Sequence, residues 1–309
     1  MKNNEKTIIP SNDNVQKPFD QLSFSQKFKQ HFAKSFRFSV LDVALAGLLL
    51  SFHFVTVMVS RFTILKVFPL EIEVIFFILY GIFFGPFKGS LIAILSDTFV
   101  MLMTGTIGTW YYLYALIPVG ICILSSLYYF FYRASYLFKI IFPLLIISMG
   151  FILLFYTVVT NSSSAGYHYK GRNKPQYLPK KIVLAMLLVY FNFSVVAFVI
   201  IFFQLLFAKG KIVKEKWFNY LFVFSIISFI MIIFRWLIGP FVYIKYYNYI
   251  NGGKRTLNYF GTDYYLVKIP ILIKSIFTIP IYSLIMSPIF SVTIYLRNKF
   301  LENNNKISY

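Results

Sequence analysis

Eight runs of mostly apolar residues, at 39–60, 70–85, 87–104, 109–132, 139–160, 181–208, 218–243 and 265–296, fill most of this 309-residue chain. A helix crossing a hydrocarbon core needs about 20 such residues, since it rises about 1.5 Å per residue across roughly 30 Å. Inside lipid, every backbone N–H and C=O must be satisfied within its own segment, so runs of this kind fold as helices. Only 13% of the residues are charged and 59% are hydrophobic, whereas a soluble domain carries about 25% charged residues. The expected fold class is all-α: a polytopic transmembrane helix bundle of about eight spans. Gly85-Pro86 stands between the second and third runs, ending one helix and opening the next. Pro270, Pro280 and Pro288 fall within the last run, which is expected to kink.

The net charge of +20 lies at the ends of the apolar runs and in the first 38 residues. That distribution reads as topology and headgroup attraction rather than nucleic-acid binding. With the N-terminus inside, seventeen basic residues face the cytoplasm against eleven in the outer loops. The chain is therefore expected in the cell membrane, multi-pass, with both termini cytoplasmic. No apolar segment precedes the first run, so no cleavable signal peptide is expected. Cys122 is the single cysteine, and His31, His53 and His168 are scattered, so neither a disulfide nor a metal site is expected. Gly253-Lys254-Arg255-Thr256 lacks the spacing of a phosphate loop, and no hydrolase motif occurs. The expectation is a non-enzyme without a cofactor. Loops 161–180 and Tyr249–Asp263, rich in Gly, Asn and aromatics, read as mobile caps.

Ionisable residues inside apolar runs are costly and mark cavities or partners. Arg235 precedes the end of its run near Phe241 by six residues, and Lys274 lies about nine residues into the last run. Both then sit roughly 10–14 Å below the outer surface. Three readings stand: a pocket for a substrate carboxylate or phosphate, internal pairing with the more central Asp97, or snorkelling of Lys274. Arg61, closing the first run, joins that site or anchors at the interface. Trp110, Tyr111, Tyr112 and Tyr114 form either an aromatic belt or a stacking surface for a flat heterocycle. The candidate substrate-binding set is Arg61, Trp110, Tyr111, Tyr114, Arg235 and Lys274. Ala44, Gly47 and Ser51 make a small-residue stripe suited to close helix approach, by a partner or within the chain. His53 and Gln204 are expected to bond between helices.

Residues 80–97 read Tyr-Gly-Ile-Phe-Phe-Gly-Pro-Phe-Lys-Gly-Ser-Leu-Ile-Ala-Ile-Leu-Ser-Asp. This resembles the signature of the S components of energy-coupling-factor vitamin transporters: an apolar helix, Phe-Gly-Pro-x-x-Gly, then an Asp. The matching positions are Phe84, Gly85, Pro86, Gly89 and Asp97. The Thr104–Tyr114 loop sits where that family places a substrate-facing loop. Lys274, followed by Ile279-Pro280, resembles the last helix of the folate-type members, which usually carry a second basic residue where Ile271 stands here. The resemblance covers roughly 39–132 and 218–296. It implies a six-helix core with a cytoplasmic arm (1–38), four helices (39–132), an inserted helix pair with an outer loop (133–217), two helices (218–296) and a cytoplasmic tail (297–309). It further implies a substrate-binding subunit of an ABC-type importer for a small anionic vitamin or cofactor precursor, folate-like in the first instance. A T component and two ATPase subunits would be its partners, with Ala44, Gly47 and Ser51 as the docking stripe. A stand-alone secondary transporter and a membrane protein with a non-transport assembly role are the alternatives.

Overall fold

The computed structural model describes residues 23, 25–26, 28–29, 32, 36, 38–62, 71–134, 136–160, 166–170, 175–252, 256–259 and 262–306. Its elements are α1 (Val40–Phe62), α2 (Glu73–Met103), a short 3-10 turn (Ile107–Thr109), α3 (Tyr112–Ala134), α4 (Tyr136–Thr160), β1 (Gly166–Lys170), β2 (Pro175–Pro179), α5 (Lys180–Phe207), α6 (Lys211–Ile230), a π-helical segment (Met231–Ile238), α7 (Gly239–Ile250) and α8 (Thr262–Lys306). Six helices are long and apolar enough to cross a membrane, with Phe138–Leu153 of α4 as a shorter apolar stretch. The protein is a multi-pass, all-α membrane bundle carrying one small antiparallel β1–β2 pair, with Gly166 opposite Pro179. That pair lies in the loop expected as a mobile cap. Most of the N-terminal arm, including His31, lies outside the described residues.

The centre of the bundle is a helical hairpin within α2. Gly85 adopts φ 81° and ψ −177°, a left-handed conformation that a Cβ strongly disfavours. Pro86 follows with the fixed φ that suits a new helix start. The chain reverses there, and the two halves pack so closely that a Cβ on Gly89 would lie 2.6 Å from the Tyr80 carbonyl oxygen. α3 closes against both halves. The Cys122 thiol donates to the carbonyls of Phe77 at 3.1 Å and Gly89 at 3.4 Å, and a Cβ on Gly81 would meet the Cys122 carbonyl oxygen at 2.3 Å. Small residues thus let three backbones meet, the packing that replaces hydrophobic driving force in lipid. The first half, Val74 to Phe84, is buried throughout, so its continuous apolar run needs no polar face.

α1 lies alongside this hairpin and is tied to it at both ends. Its N-terminus is capped reciprocally: the Asp42 N–H donates to Ser39 Oγ at 3.1 Å, and the Ser39 N–H donates to Asp42 Oδ2 at 3.0 Å. The same carboxylate receives Lys88 Nζ from the hairpin tip at 2.7 Å. In the last turn of α1, Arg61 Nη2 reaches Glu73 Oε1 at 3.2 Å. Between these ends, His53 Nδ1 and the Tyr80 hydroxyl share a 3.0 Å hydrogen bond, the interhelical role expected of that histidine. Gln204, expected to act likewise, lies on the exposed face of α5.

α6, the π segment and α7 form one unbroken helix from Lys211 to Ile250. The helix expected to end at residue 243 therefore continues two turns further, and the loop after it begins at Asn251. Glycines on neighbouring helices accept its widened turn. A Cβ on Gly120 would lie 2.6 Å from the Phe234 ring, and one on Gly150 would lie 2.9 Å from Ile232 Cδ1. The segment read as an insertion is thus built into the packing, with Phe142 of α4 against Phe229 and Phe151 against Phe191 of α5. α8 continues through its three prolines to Lys306, so most of the expected 297–309 tail is helical.

Candidate functional site

The hairpin decides where the charged residues meet. Because α2 reverses at Gly85, Asp97 returns to the end of the bundle that holds Glu71, Glu73 and the last turn of α1. The start of α3, the π segment, α7 and the start of α8 complete a cavity of about 840 Å³ at that end. This is within the usual range of small-molecule sites, roughly 300–1,000 Å³. Arg61, Trp110, Tyr111, Tyr114 and Arg235, all expected from sequence, line it. Lys274 stands at its edge, with Nζ 3.7 Å from Glu71 Oε1.

The pairing differs from the one expected. Asp97 was the counter-charge in one of the three readings, yet among the described residues it enters no ion pair. It lines the cavity wall within reach of the fields of Glu73 and Arg61. Glu71 does the pairing instead: its carboxylate bonds Arg235 and also approaches Lys274. Lys274 thus has a carboxylate within 4 Å, and Arg61 is held by Glu73. Glu71 and Glu73, at the start of the second apolar run, were not singled out from sequence. The available signal was their rarity, since the chain has only ten acidic residues.

Around the cavity, Arg61, Arg235 and Lys274 meet the carboxylates of Glu71, Glu73, Asp97 and Asp263. The site is therefore not the cation-only pocket that depth along the helices suggested. A ligand anion has to compete with carboxylates already in place.

Aromatic rings make the opposite wall. Tyr111 packs against Tyr246 at 5.4 Å and Tyr249 at 5.3 Å, and Tyr114 meets Tyr246 edge-on at 5.4 Å. Tyr243, Tyr246 and Tyr247 line the cavity because α7 places them on one face at helical spacing. They were missed from sequence because the run was expected to end at 243, leaving Tyr246 and Tyr247 beyond it, and Tyr243 at its end was not singled out. Trp110 remains half-exposed at the cavity. Tyr112 is exposed and absent from the lining.

Asn248 ties the following loop to α7: its Nδ2 donates to the Leu257 carbonyl at 3.0 Å and its Oδ1 accepts from the Leu257 N–H at 2.8 Å. Leu257 is thereby held in the cavity wall, so this part of the loop expected as mobile is pinned. Residues 253–255 and 260–261 of that loop lie outside the described residues.

Ala44, Gly47 and Ser51 occupy the exposed face of α1. A Cβ on Gly47 would meet nothing within 4 Å, and Ser51 Oγ bonds the Gly47 carbonyl of its own helix at 2.8 Å. Within the described residues the stripe packs no other helix. No group of three or more potential metal ligands occurs among the described residues. No protein-family model, curated protein or solved structure matches the chain.

Proposed function

We propose that this protein is the substrate-binding S component of an energy-coupling-factor importer, taking up a small carboxylate-bearing vitamin or cofactor precursor. The observation that carries this reading is the convergence of Arg61, Trp110, Tyr111, Tyr114, Arg235 and Lys274 on one cavity at one end of the bundle. The Arg235 guanidinium offers a planar fork to a carboxylate and Lys274 adds a point charge. Trp110 and the tyrosine wall offer ring faces to a flat heterocycle. In this reading the cavity opens outward from the cell membrane and both termini lie in the cytoplasm. The start of α1 and the end of α8 fall on the far side from the cavity, since α1 starts at the Asp42 end and α8 starts at Asp263 beside the cavity. With no nucleotide-binding motif in the chain, energy comes from a T component and two ATPases. These dock against the unoccupied Ala44, Gly47 and Ser51 face, where a second helix can approach closely.

A stand-alone secondary transporter is the second reading. It is favoured by Asp97, a cavity carboxylate outside the ion pairs, since such residues in membranes serve ion coupling. Affinity purification from native membranes in mild detergent separates the two. Co-purification of a membrane T component with two ATP-binding subunits supports the importer. A stable, folded preparation without them overturns it in favour of the solitary transporter. The binding site is tested by Arg235→Ala and Lys274→Ala, each expected to weaken substrate binding by roughly tenfold or more. Lys209→Ala, on an exposed residue away from the cavity, should leave binding unchanged. Equal effects of all three would refute the pocket.

A further inference from the structure

We infer that Glu71 is an exchangeable stand-in for the substrate's carboxylate: it holds Arg235 and Lys274 in the empty site and is displaced when a carboxylate ligand binds. This rests on the substrate-capture reading and adds to it how the site is kept intact without ligand.

The argument begins with the two cations. Arg235 lies in the π segment and Lys274 on α8, and one carboxylate, Glu71, serves both. Without an anion between them, two like charges would share a partly desolvated cavity, where they repel far more than in water. Glu71 removes that repulsion with the same chemical group that the ligand is proposed to bring. The site is then preorganised without ligand and keeps its charge balance when one carboxylate replaces the other.

The neighbouring pair shows that Glu71 is placed to leave. Glu73 sits in the first turn of α2, its side chain 25% exposed, and bonds Arg61. Glu71 precedes that helix, and its side chain is 45% exposed. A carboxylate that already faces water sheds its partners at a smaller desolvation cost than a buried one. Its carbonyl accepts the Val74 N–H at 3.2 Å, so the backbone is tied to the start of α2 and the exchange is a movement of the exposed side chain. The cavity therefore holds one ion pair whose carboxylate sits within a helix and one whose more exposed carboxylate precedes it. Both Glu71 and Arg235 line the cavity, so an entering carboxylate meets the pair directly.

Competition of this kind lowers apparent affinity by the fraction of time that the site is free. If Glu71 occupies its partners about nine-tenths of the time, removing it strengthens carboxylate binding about tenfold.

The test uses the full chain in detergent micelles, titrated with benzoate as an aromatic monocarboxylate. Binding is read by calorimetry and by fluorescence of Trp110 at the cavity. Glu71→Gln is expected to bind benzoate about tenfold more tightly than wild type. The triple variant Glu71→Gln/Arg235→Ala/Lys274→Ala should lose that binding. If Glu71→Gln does not fold, Glu71→Asp decides. Its shorter side chain grips the cations less well while keeping the charge, so its affinity should fall above wild type. Affinity equal to or weaker than wild type in these Glu71 variants overturns the exchange. If binding is also lost in the Arg235/Lys274 variants, the pocket itself survives that result. Benzoate binding that persists in the triple variant overturns the anion site, and the exchange with it.

Discussion

Replacing Gly81 by Ala tests the seam on which the cavity depends. A methyl group there would stand 2.3 Å from the Cys122 carbonyl oxygen and 2.9 Å from the Cys122 carbonyl carbon and Cα, where ordinary contacts begin at 3.4 Å. All three neighbours are backbone atoms, so no side chain can rotate away, and the hairpin and α3 must separate by about 1 Å. A gap of that size forfeits about a quarter to a half of the dispersion energy at each contact along the seam. Overpacking of this kind costs about 1–3 kcal/mol, and a backbone collision belongs near 3 kcal/mol. At roughly 2–4 °C per kcal/mol, the melting temperature should fall by about 6–12 °C. The chain supplies its own probe, because Cys122 is its only cysteine and is fully buried at the seam. A thiol-reactive dye added during a thermal ramp therefore reports the opening of this interface directly. Gly47→Ala is the control, since a Cβ there meets nothing within 4 Å, and its melt should match wild type. A Gly81→Ala melt within about 1 °C of wild type would refute the close approach. So would rapid dye labelling of the native wild-type protein.

Two further outcomes are expected. Lys88→Met removes the 2.7 Å partner of the Asp42 carboxylate at the end of the bundle away from the cavity, leaving it the Ser39 N–H, at a cost of up to about 3 kcal/mol. The double variant Asp42→Asn/Lys88→Met should recover most of the loss in the same thermal assay, and a double variant as unstable as the single one would count against the latch. Gly47→Leu should abolish co-purification of the partner subunits without changing substrate affinity, because the stripe is exposed and far from the cavity lining. Unaltered co-purification would remove the docking role.

Hydropathy is a local property, which is why the apolar runs were legible one by one. The reversal at Gly85-Pro86 was equally legible, because the need for a residue that tolerates φ near 81° is written in the glycine itself. Arg235, Lys274 and Arg61 stood out for the same kind of reason: a charge in or beside an apolar run demands a partner wherever the run packs. What the run cannot specify is which partner. Asp97 was the acid that stood inside an apolar run, but it lines the cavity wall and Glu71 pairs with both cations instead. Glu71 and Arg235 are 164 residues apart, and only the tertiary fold, which sets both in the wall of one cavity, makes them neighbours.

The tyrosine wall follows the same division. Tyr246 and Tyr247 fell beyond the expected end of the run at 243, because Lys245 and Asn248 interrupt the hydropathy. Their helix persists by joining α6 through the π segment and packing beside α8, and that continuity turns three scattered tyrosines into one face of the cavity. By itself the sequence determined a membrane helix bundle, its turning points and the presence of costly charges within it. These are set by the transfer of each segment from water to lipid and by the dihedral needs of single residues. Tertiary structure alone decided which charges neutralise each other and where the aromatic wall stands, because pairing and cavity shape depend on distances between helices that no local pattern encodes.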